Sequence, residues 1–457
     1  MGLSPIVGLF LTTFQSPFIW NNMPTVGEAL CIKWEFQEDI LLSPPSQAPT
    51  DSIFIYSRAK YTNYTFAHQE VSVYNAAEGL PIQTAQKIFL QGTGDLLSDA
   101  WFMIACPALS KAGSGTVAYY SNYAAFACWE YIRFITGVQE IHEVDWLTMW
   151  LHYELRCDPM ETVNALIGKF DNEAQLIARA SSDHRLWFRY PIFWTSNSRR
   201  SFPSIAGGKQ QLSVEMKCRP LLQWVHNRDN LTVLPYRGSS GNTTVSASDF
   251  RIRLYLKSAI VEPTERRYFV TNPHTINYCT LQYQTQTVSA NEGQRQRYEV
   301  MTKSHPARGI YWLVQRPSCV SSSSYKNVYG NVSCIDWYNF TSDNYGESIY
   351  GIMWKVNNSD MFENEQVQPQ YHRIIKMLQA VGKQFKRGNV YVHYFQDKLN
   401  TQDVIHTVNM TKFERQSLSF YSNVAEANST LYEVVDVVIT CTIADKTAGA
   451  PYYAKQG

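Results

Sequence analysis

The sequence predicts a mainly β protein on three observations. Hydrophobic and polar residues alternate at period two in short runs along the 457-residue chain, helical periodicity is confined to two stretches, and the composition is aromatic and weakly charged. Aromatic residues reach 14% and charged residues only 17%, against roughly a quarter charged in an average soluble protein. Tyrosine, tryptophan and phenylalanine fill the centres of buried interfaces, so this balance suits a surface that neighbours cover. Hydrophobic residues at 45% supply a full core, for one very large β domain or for roughly two to three ordinary ones.

Each element follows from its pattern. Trp146–Arg156 reads as a short amphipathic helix. Over 211–218, Leu212, Val214, Met216 and Cys218 point one way and Ser213, Glu215 and Lys217 the other, a half-buried strand. Phe250, Ile252, Leu254 and Leu256 repeat this against Arg251, Arg253, Tyr255 and Lys257, and Ile310, Trp312 and Val314 do so again. Residues 390–395 and 434–439 add two strands, the second apolar except for Asp436 and so fit for burial on most of both faces. Ile374, Leu378, Val381 and Phe385 share one face of a second helix that Gly388 would end. Long polar loops are expected over 227–248, 284–296 and 317–331, and no repeat of solenoid or propeller period is visible.

Lysine plus arginine number 40 and aspartate plus glutamate 39, so the formal charge of +1 offers no long-range field to a polyanion, and direct nucleic-acid binding is not expected. Nine cysteines, Cys31, Cys106, Cys128, Cys157, Cys218, Cys279, Cys319, Cys334 and Cys441, are scattered without paired spacing, which favours buried reduced thiols. A Cys319–Cys334 disulfide across a serine-rich stretch is the alternative. The apolar stretch 3–14 lacks a basic flank and is too short to span a bilayer; it reads as an arm that packs against something. Sequons at Asn63, Asn230, Asn242, Asn331, Asn339, Asn357, Asn409 and Asn428 are candidate glycosylation sites.

Catalytic patterns return near misses. His142-Glu143 opens like a zinc-protease helix, but Trp146 stands where the second histidine is needed. Gly208-Lys209 is followed by Gln210, and Pro203 occupies the place of the first phosphate-loop glycine. Gly113-Ser114-Gly115 and Gly238-Ser239-Ser240-Gly241 miss the spacing of a nucleophile elbow and read as turns. The ten histidines are dispersed. Arg199-Arg200, Arg266-Arg267 and Lys386-Arg387 are isolated basic pairs of the kind usually solvated or salt-bridged. No catalytic, cofactor or metal residue is assigned.

Several segments, in order, resemble the major capsid proteins of nucleocytoplasmic large DNA viruses, with the iridovirus-like branch closest in layout. They are Gly94 to Leu97 with Trp101 to Met103 and Pro107 to Leu109, then a strand over Tyr123 to Arg133, a turn over Gly137 to Ile141, and a helix opening Asp145-Trp146-Leu147 with Trp150. Leu166 to Lys169, a strand over Tyr190 to Trp194, Phe202 to Ala206 and Leu212 to Cys218 follow, and Leu254 to Leu256 through Glu265 to Phe269 is the most specific match. In the second half Ala307 to Val314, Val367 to Pro369 and Val390 to Phe395 carry the likeness, while 404–415 lacks the family's Pro-Ser-Gly turn and the helix after Pro369 reads as an insertion.

The resemblance implies a double jelly roll: an arm over 1–24, a first jelly-roll sandwich over 25–272 and a second over 273–457. It implies a structural, non-enzymatic role as a homotrimer with a hexagonal outline that tiles an icosahedral shell. Expected partners are further copies, neighbouring capsomers, minor capsid and penton proteins and an inner membrane beneath the shell, in a virion assembled in the host cytoplasm. The competing readings are a scaffold or minor capsid protein of the same fold, separable by copy number, and a monomeric carbohydrate-binding or carbohydrate-hydrolysing β-sandwich, separable by glycan affinity.

Overall fold

The computed structural model describes residues 64–72, 79–90, 92–156, 161–170, 172–195, 201–208, 210–238, 241–289, 295–299, 305–321, 336–342, 346–357, 359–362, 371–381, 389–395, 407–413, 416–444 and 447–449. The arm, Asn63, Asn331, Cys31, Cys157, Cys334, Lys209, Phe385 and Gly388 lie outside the described residues. Residues 65–457 make one compact unit.

The strands come in two series. The first is β1 (Tyr64–Ser72), β2 (Gln86–Phe89), β3 (Leu96–Cys106), β4 (Trp129–Thr136), β5 (Gln139–Val144), β6 (His184–Arg189), β7 (Leu212–Cys218) and β8 (Arg251–Val261). They form two four-stranded sheets, in the orders β1-β8-β3-β6 and β2-β7-β4-β5. The second series is β9 (His274–Val288), β10 (Arg295–Glu299), β11 (Pro306–Gln315), β12 (Ile349–Val356), β13 (Ser359–Phe362), β14 (Tyr391–Tyr394), β15 (Gln416–Ser422) and β16 (Ser429–Ala444). Its sheets run β9-β16-β11-β14 and β10-β15-β12-β13, the first extended by the short strands Val408–Asn409 beside β11 and Thr447–Gly449 beside β16. Adding eight to each strand number of the first series reproduces the second, so the chain is a duplicated jelly roll whose repeat is invisible in its letters.

Alternation decides which face each strand buries. On β7, Leu212, Val214, Met216 and Cys218 are buried while Glu215 and Lys217 are half-exposed, as their spacing predicts. In the first sandwich Phe102 stacks on Phe188 at 5.4 Å and meets Tyr190 edge-on at 5.6 Å. β11 departs from the expected alternation, because Tyr311 and Leu313 are as fully buried as Ile310, Trp312 and Val314. Both faces of its sheet are covered, which no local pattern encodes. The 434–439 run lies inside β16, and its one charge is matched there: Asp436 accepts from Arg308 Nη2 at 2.7 Å with both side chains buried.

Helices fill matching connections. Between β5 and β6 run α1 (Trp146–Arg156), α2 (Glu161–Ile167) and α3 (Glu173–Ala180); α4 (Pro263–Thr271) follows β8; between β13 and β14 lie a π-helical turn, Tyr371–Ile375, and α5 (Lys376–Val381). The helix after Pro369 therefore occupies the fifth-to-sixth-strand connection that α1, α2 and α3 occupy in the first sandwich, rather than a place of its own. Its π turn shifts the helical phase: His372 and Met377 turn inward while Leu378, expected on the buried face, is exposed.

Other departures have local causes. Tyr123 takes a left-handed φ of 55° ahead of a short helix, Ala124–Ala127, where a strand was expected. β6 ends at Arg189, before Pro191, which has no N–H for the ladder, so 190–194 is not a strand. Glu265 to Phe269 are helical in α4, and β9 and β10 take up most of the loop expected over 284–296.

Candidate functional site: the seam between the two sandwiches

Among the described residues no group of His, Cys, Asp or Glu is gathered to hold a metal. His142 and Glu143 sit on a strand, β5, and Glu143 is ion-paired with Arg133 at 2.6 Å. Gly113-Ser114-Gly115 lies in a turn with Gly113 at φ 54°. Of the described cysteines, Cys106, Cys128, Cys218 and Cys441 are buried free thiols. Burial pushes the Cys128 and Cys218 thiols well up and away from the reactive thiolate.

A constellation of specific contacts among the described residues instead joins the two sandwiches. It begins at the start of α1, where Asp145 and Thr148 cap the helix reciprocally: Thr148 N donates to Asp145 Oδ1 at 2.9 Å and Asp145 N to Thr148 Oγ1 at 2.8 Å. This leaves Asp145 Oδ2 for Tyr283 of β9, whose hydroxyl donates to it. Burial, and then the Asp145 charge, push the Tyr283 phenol far up, so it stays a donor. Further along β9, Tyr278 donates to the carbonyl of Ile141 at 2.6 Å and stacks on Phe193 at 4.4 Å. The outermost strand of each facing sheet, β5 and β9, is thus fastened to the other sandwich through side chains.

A second contact area comes from the loop after β11. Trp337 donates from Nε1 to the carbonyl of Gln223 at 2.6 Å, and Tyr338 donates to the Trp146 carbonyl at 3.4 Å. Trp146 packs edge-on against Trp337 at 5.3 Å and Tyr432 at 5.9 Å; Trp150 meets Tyr338 at 5.3 Å and Phe340 at 5.4 Å. The Arg219 guanidinium lies between the indoles, 4.0 Å from the Trp337 ring and 4.7 Å from that of Trp146. Burial lowers its pKa, and the two aromatic faces replace part of the hydration it loses.

These contacts align the sandwiches in parallel. Pairing of Ala105 with Arg251 and of Cys106 with His184 brings the loops over 107–128, 145–183 and 219–250 to one end of the first sandwich. In the second, Gln315 pairs Thr430 and Ile349 pairs Ser422, so the described residues 316–321, 336–342, 346–348 and 423–428 share one end, and it is the 336–340 part of that end which touches α1, Arg219 and Gln223. One face of the unit therefore gathers the long loops of both sandwiches.

The sequons divide between the two ends. Asn230, half-buried, and Asn242, exposed, lie on the loop end, as does the exposed Asn428. Asn357 and Asn409, both exposed, lie at the other end: Asn357 follows β12, whose Val356 pairs Gln416, and Asn409 pairs Pro306. Asn339 is buried, and its Oδ1 accepts from Thr341 N at 3.0 Å and Thr341 Oγ1 at 2.7 Å. The sequence reading singled out Trp146 and Trp150 but not their partners. The density Trp337-Tyr338-Asn339-Phe340 beyond a serine-rich stretch is the signal that would have found them.

Residues 52–257 match the family model described as the major capsid protein N-terminus. No curated protein matches the chain by sequence. Among solved structures, the fold is similar to the quasi-atomic model of the PBCV-1 virus capsid, at 16% identity and a TM-score of 0.68 over 86% of this chain and 98% of that one. It is similar to the Faustovirus major capsid protein at 11% identity and 0.60, over 86% and 93% of the two chains. The Sputnik virophage, solved by cryo-EM, matches at 11% identity and 0.53, over 86% and 89%. At such identities the likeness to these structures is one of fold.

Proposed function

We propose that this chain is a double jelly-roll major capsid protein of a large double-stranded DNA virus, structural and non-catalytic, and that three copies close into one capsomer of pseudo-hexagonal outline that tiles an icosahedral shell. The carrying observation is the duplicated strand order held parallel by the seam. Two like sandwiches side by side, repeated about a three-fold axis, present six like walls, so one chain can meet its neighbours through few distinct contacts.

The protein's place is the virion capsid and its first partners are copies of itself; the comparisons favour this over the scaffold, minor-coat and sugar-binding readings. The loop end, with Asn230, Asn242 and Asn428, is the outward crown in this reading, and glycans are carried there. Minor capsid and penton proteins and an inner membrane lie beneath the capsomer, and shells assemble in the host cytoplasm. The arm over 1–24 reaches toward these inner partners, with the division between sandwiches at 272–273. Deleting residues 3–14 then leaves capsomers intact and impairs shells; normal shells from that deletion would refute the arm's role.

The test of the capsomer is the mass of the purified protein at neutral pH, with negative-stain imaging of the same sample. A particle of three times 52.5 kDa with a hexagonal outline is expected. A monomer with affinity for glycans would overturn the reading.

A further inference from the structure

The π turn and α5 pack against β14, the last strand of its sheet, and what fastens them there is a pair of histidines. Pairing of Tyr391 with Trp312 and of His393 with Ile310 turns those β14 side chains toward the core of the second sandwich. The His393 ring meets Trp354 at 5.5 Å and Phe395 at 5.4 Å, both edge-on, and Trp354 belongs to β12 of the opposite sheet. The π turn lays His372 into the same place. Its ring lies 6.2 Å from that of His393 and 6.4 Å from that of Trp312, and its Nδ1–H donates to the Val392 carbonyl at 3.2 Å.

This fastening is slight beside its counterpart. In the first sandwich the equivalent connection opens with α1, which buries Trp146, Leu147, Trp150 and Leu151. Among the described side chains of the π turn and α5, only His372 and Met377 are buried, while Tyr371, Ile375 and Leu378 are exposed. Arg373 adds an ion pair with Glu347 at 2.6 Å. A segment with so few buried contacts is of the kind that opens ahead of the rest of a fold.

The surroundings of the two rings oppose a positive charge. On their own segment stand Arg373 and Lys376, the latter over the Tyr371 ring at 5.5 Å. β11 and β12 present the indoles of Trp312 and Trp354, and β14 presents Tyr391. The loop before β12 presents Glu347, whose carboxylate is engaged by Arg373 and by the Tyr391 hydroxyl at 2.8 Å. Burial, the largest cause, and the Lys376 charge pull both rings down to about 4; His372 itself adds to the effect on His393, and the Val392 hydrogen bond opposes it for His372 without outweighing it. In water each ring titrates near 6.5. The closed form is therefore fully favoured above that pH and weakens as the pH falls toward 4, each ring shifting the balance toward an open form by roughly seventyfold at pH 4.5.

We infer that Tyr371–Val381 is an acid-released flap on the second sandwich, with His372 and His393 as its catch. When both rings are protonated, two cations share an aromatic cage and repel each other, the π turn leaves β14, and the Trp312 and Trp354 side of the core opens while the first sandwich stays folded. The catch acts within one chain, so it stands or falls apart from the trimeric reading.

The experiment follows hydrogen exchange of the full-length protein by mass spectrometry from pH 7 to pH 4.5, corrected for the intrinsic effect of pH, with anilinonaphthalene sulfonate as the probe of opened apolar surface. Peptides covering 371–381 are expected to lose roughly tenfold or more of their protection by pH 4.5, reversibly and before peptides from β3 and β8, with dye binding in step. H372N/H393N, checked for wild-type circular dichroism at pH 7, is expected to lose the pH step. K376Q, which removes a cation without touching the catch, is expected to move the step to lower pH, and it tests the inference should the double variant fail to fold. Protection of 371–381 that lasts until the whole chain unfolds, or a wild-type pH step in H372N/H393N, would overturn the inference. An opening that E347Q produces at pH 7, with the acid step unchanged in H372N/H393N, would also overturn it by placing the catch at the Arg373 ion pair.

Discussion

Replacing Asp436 by asparagine should cost the second sandwich much of its stability, whereas replacing both members of its ion pair with Arg308 should not. Asp436 sits on β16 amid valines, and Arg308 reaches it at 2.7 Å with both side chains buried. Burial pulls the Arg308 pKa down, but the adjacent Asp436 charge and the hydrogen bond to it outweigh that and leave it raised. Removing the carboxylate leaves a guanidinium without its counter-charge in a dry site, a loss of about 3–5 kcal/mol for such pairs. For a domain of this size that is a fall of roughly 6–20 °C in unfolding temperature. R308M/D436L removes both desolvation penalties, and exchanges of this kind are about neutral or stabilising. Scanning calorimetry of the two variants beside the wild type decides it. An Asp436→Asn transition within about 2 °C of wild type, or a double variant as damaged as the single one, would show that the pair does not govern this region.

Three further outcomes follow from the geometry. Trp146→Ala removes an indole from between Arg219, Trp337 and Tyr432 and should cost about 3–5 kcal/mol, splitting denaturant unfolding into two transitions as the sandwiches uncouple; one unshifted transition would refute the seam's role. Burial, reinforced by the Lys376 charge, pulls the pKa of both His372 and His393 down to about 4, while the unfolded chain takes up those protons near 6.5. Stability from this pair is therefore full above pH 6.5 and is lost as the pH falls toward 4, by on the order of a few kcal/mol in total; H372N/H393N should flatten that part of a pH series of unfolding midpoints, and an unchanged slope would count against it. Peptide mapping of virion-derived protein should find Asn339 unmodified whatever the other sequons carry, and a glycan there would mean that the 336–342 loop forms only after modification.

Much of the architecture was legible in local pattern. The period-two runs at 212–218, 250–256 and 390–395 are strands, and Trp146–Arg156 is a helix with the bounds its periodicity implies, because each signal belongs to a few neighbouring residues. The resemblance supplied the double jelly roll, which the two strand orders show directly. Local pattern failed where a distant partner decides the outcome. Ile310, Trp312 and Val314 announced a half-buried strand, but Tyr311 and Leu313 are equally buried because the sheet is covered on its outer side too. Leu378 announced a core contact, but a π turn moved it to the surface.

The sequence by itself determined the β character, the weak charge that argues against wrapping nucleic acid, and most strand positions. These depend on spacing and composition, which survive without coordinates. Only the tertiary structure decided that the two halves share one strand order, that Asp436 is answered by Arg308, and that Asn339 is buried. Each joins residues far apart in the chain, as Arg308 and Asp436 are by 128 positions, and such pairings are set by how whole sheets pack.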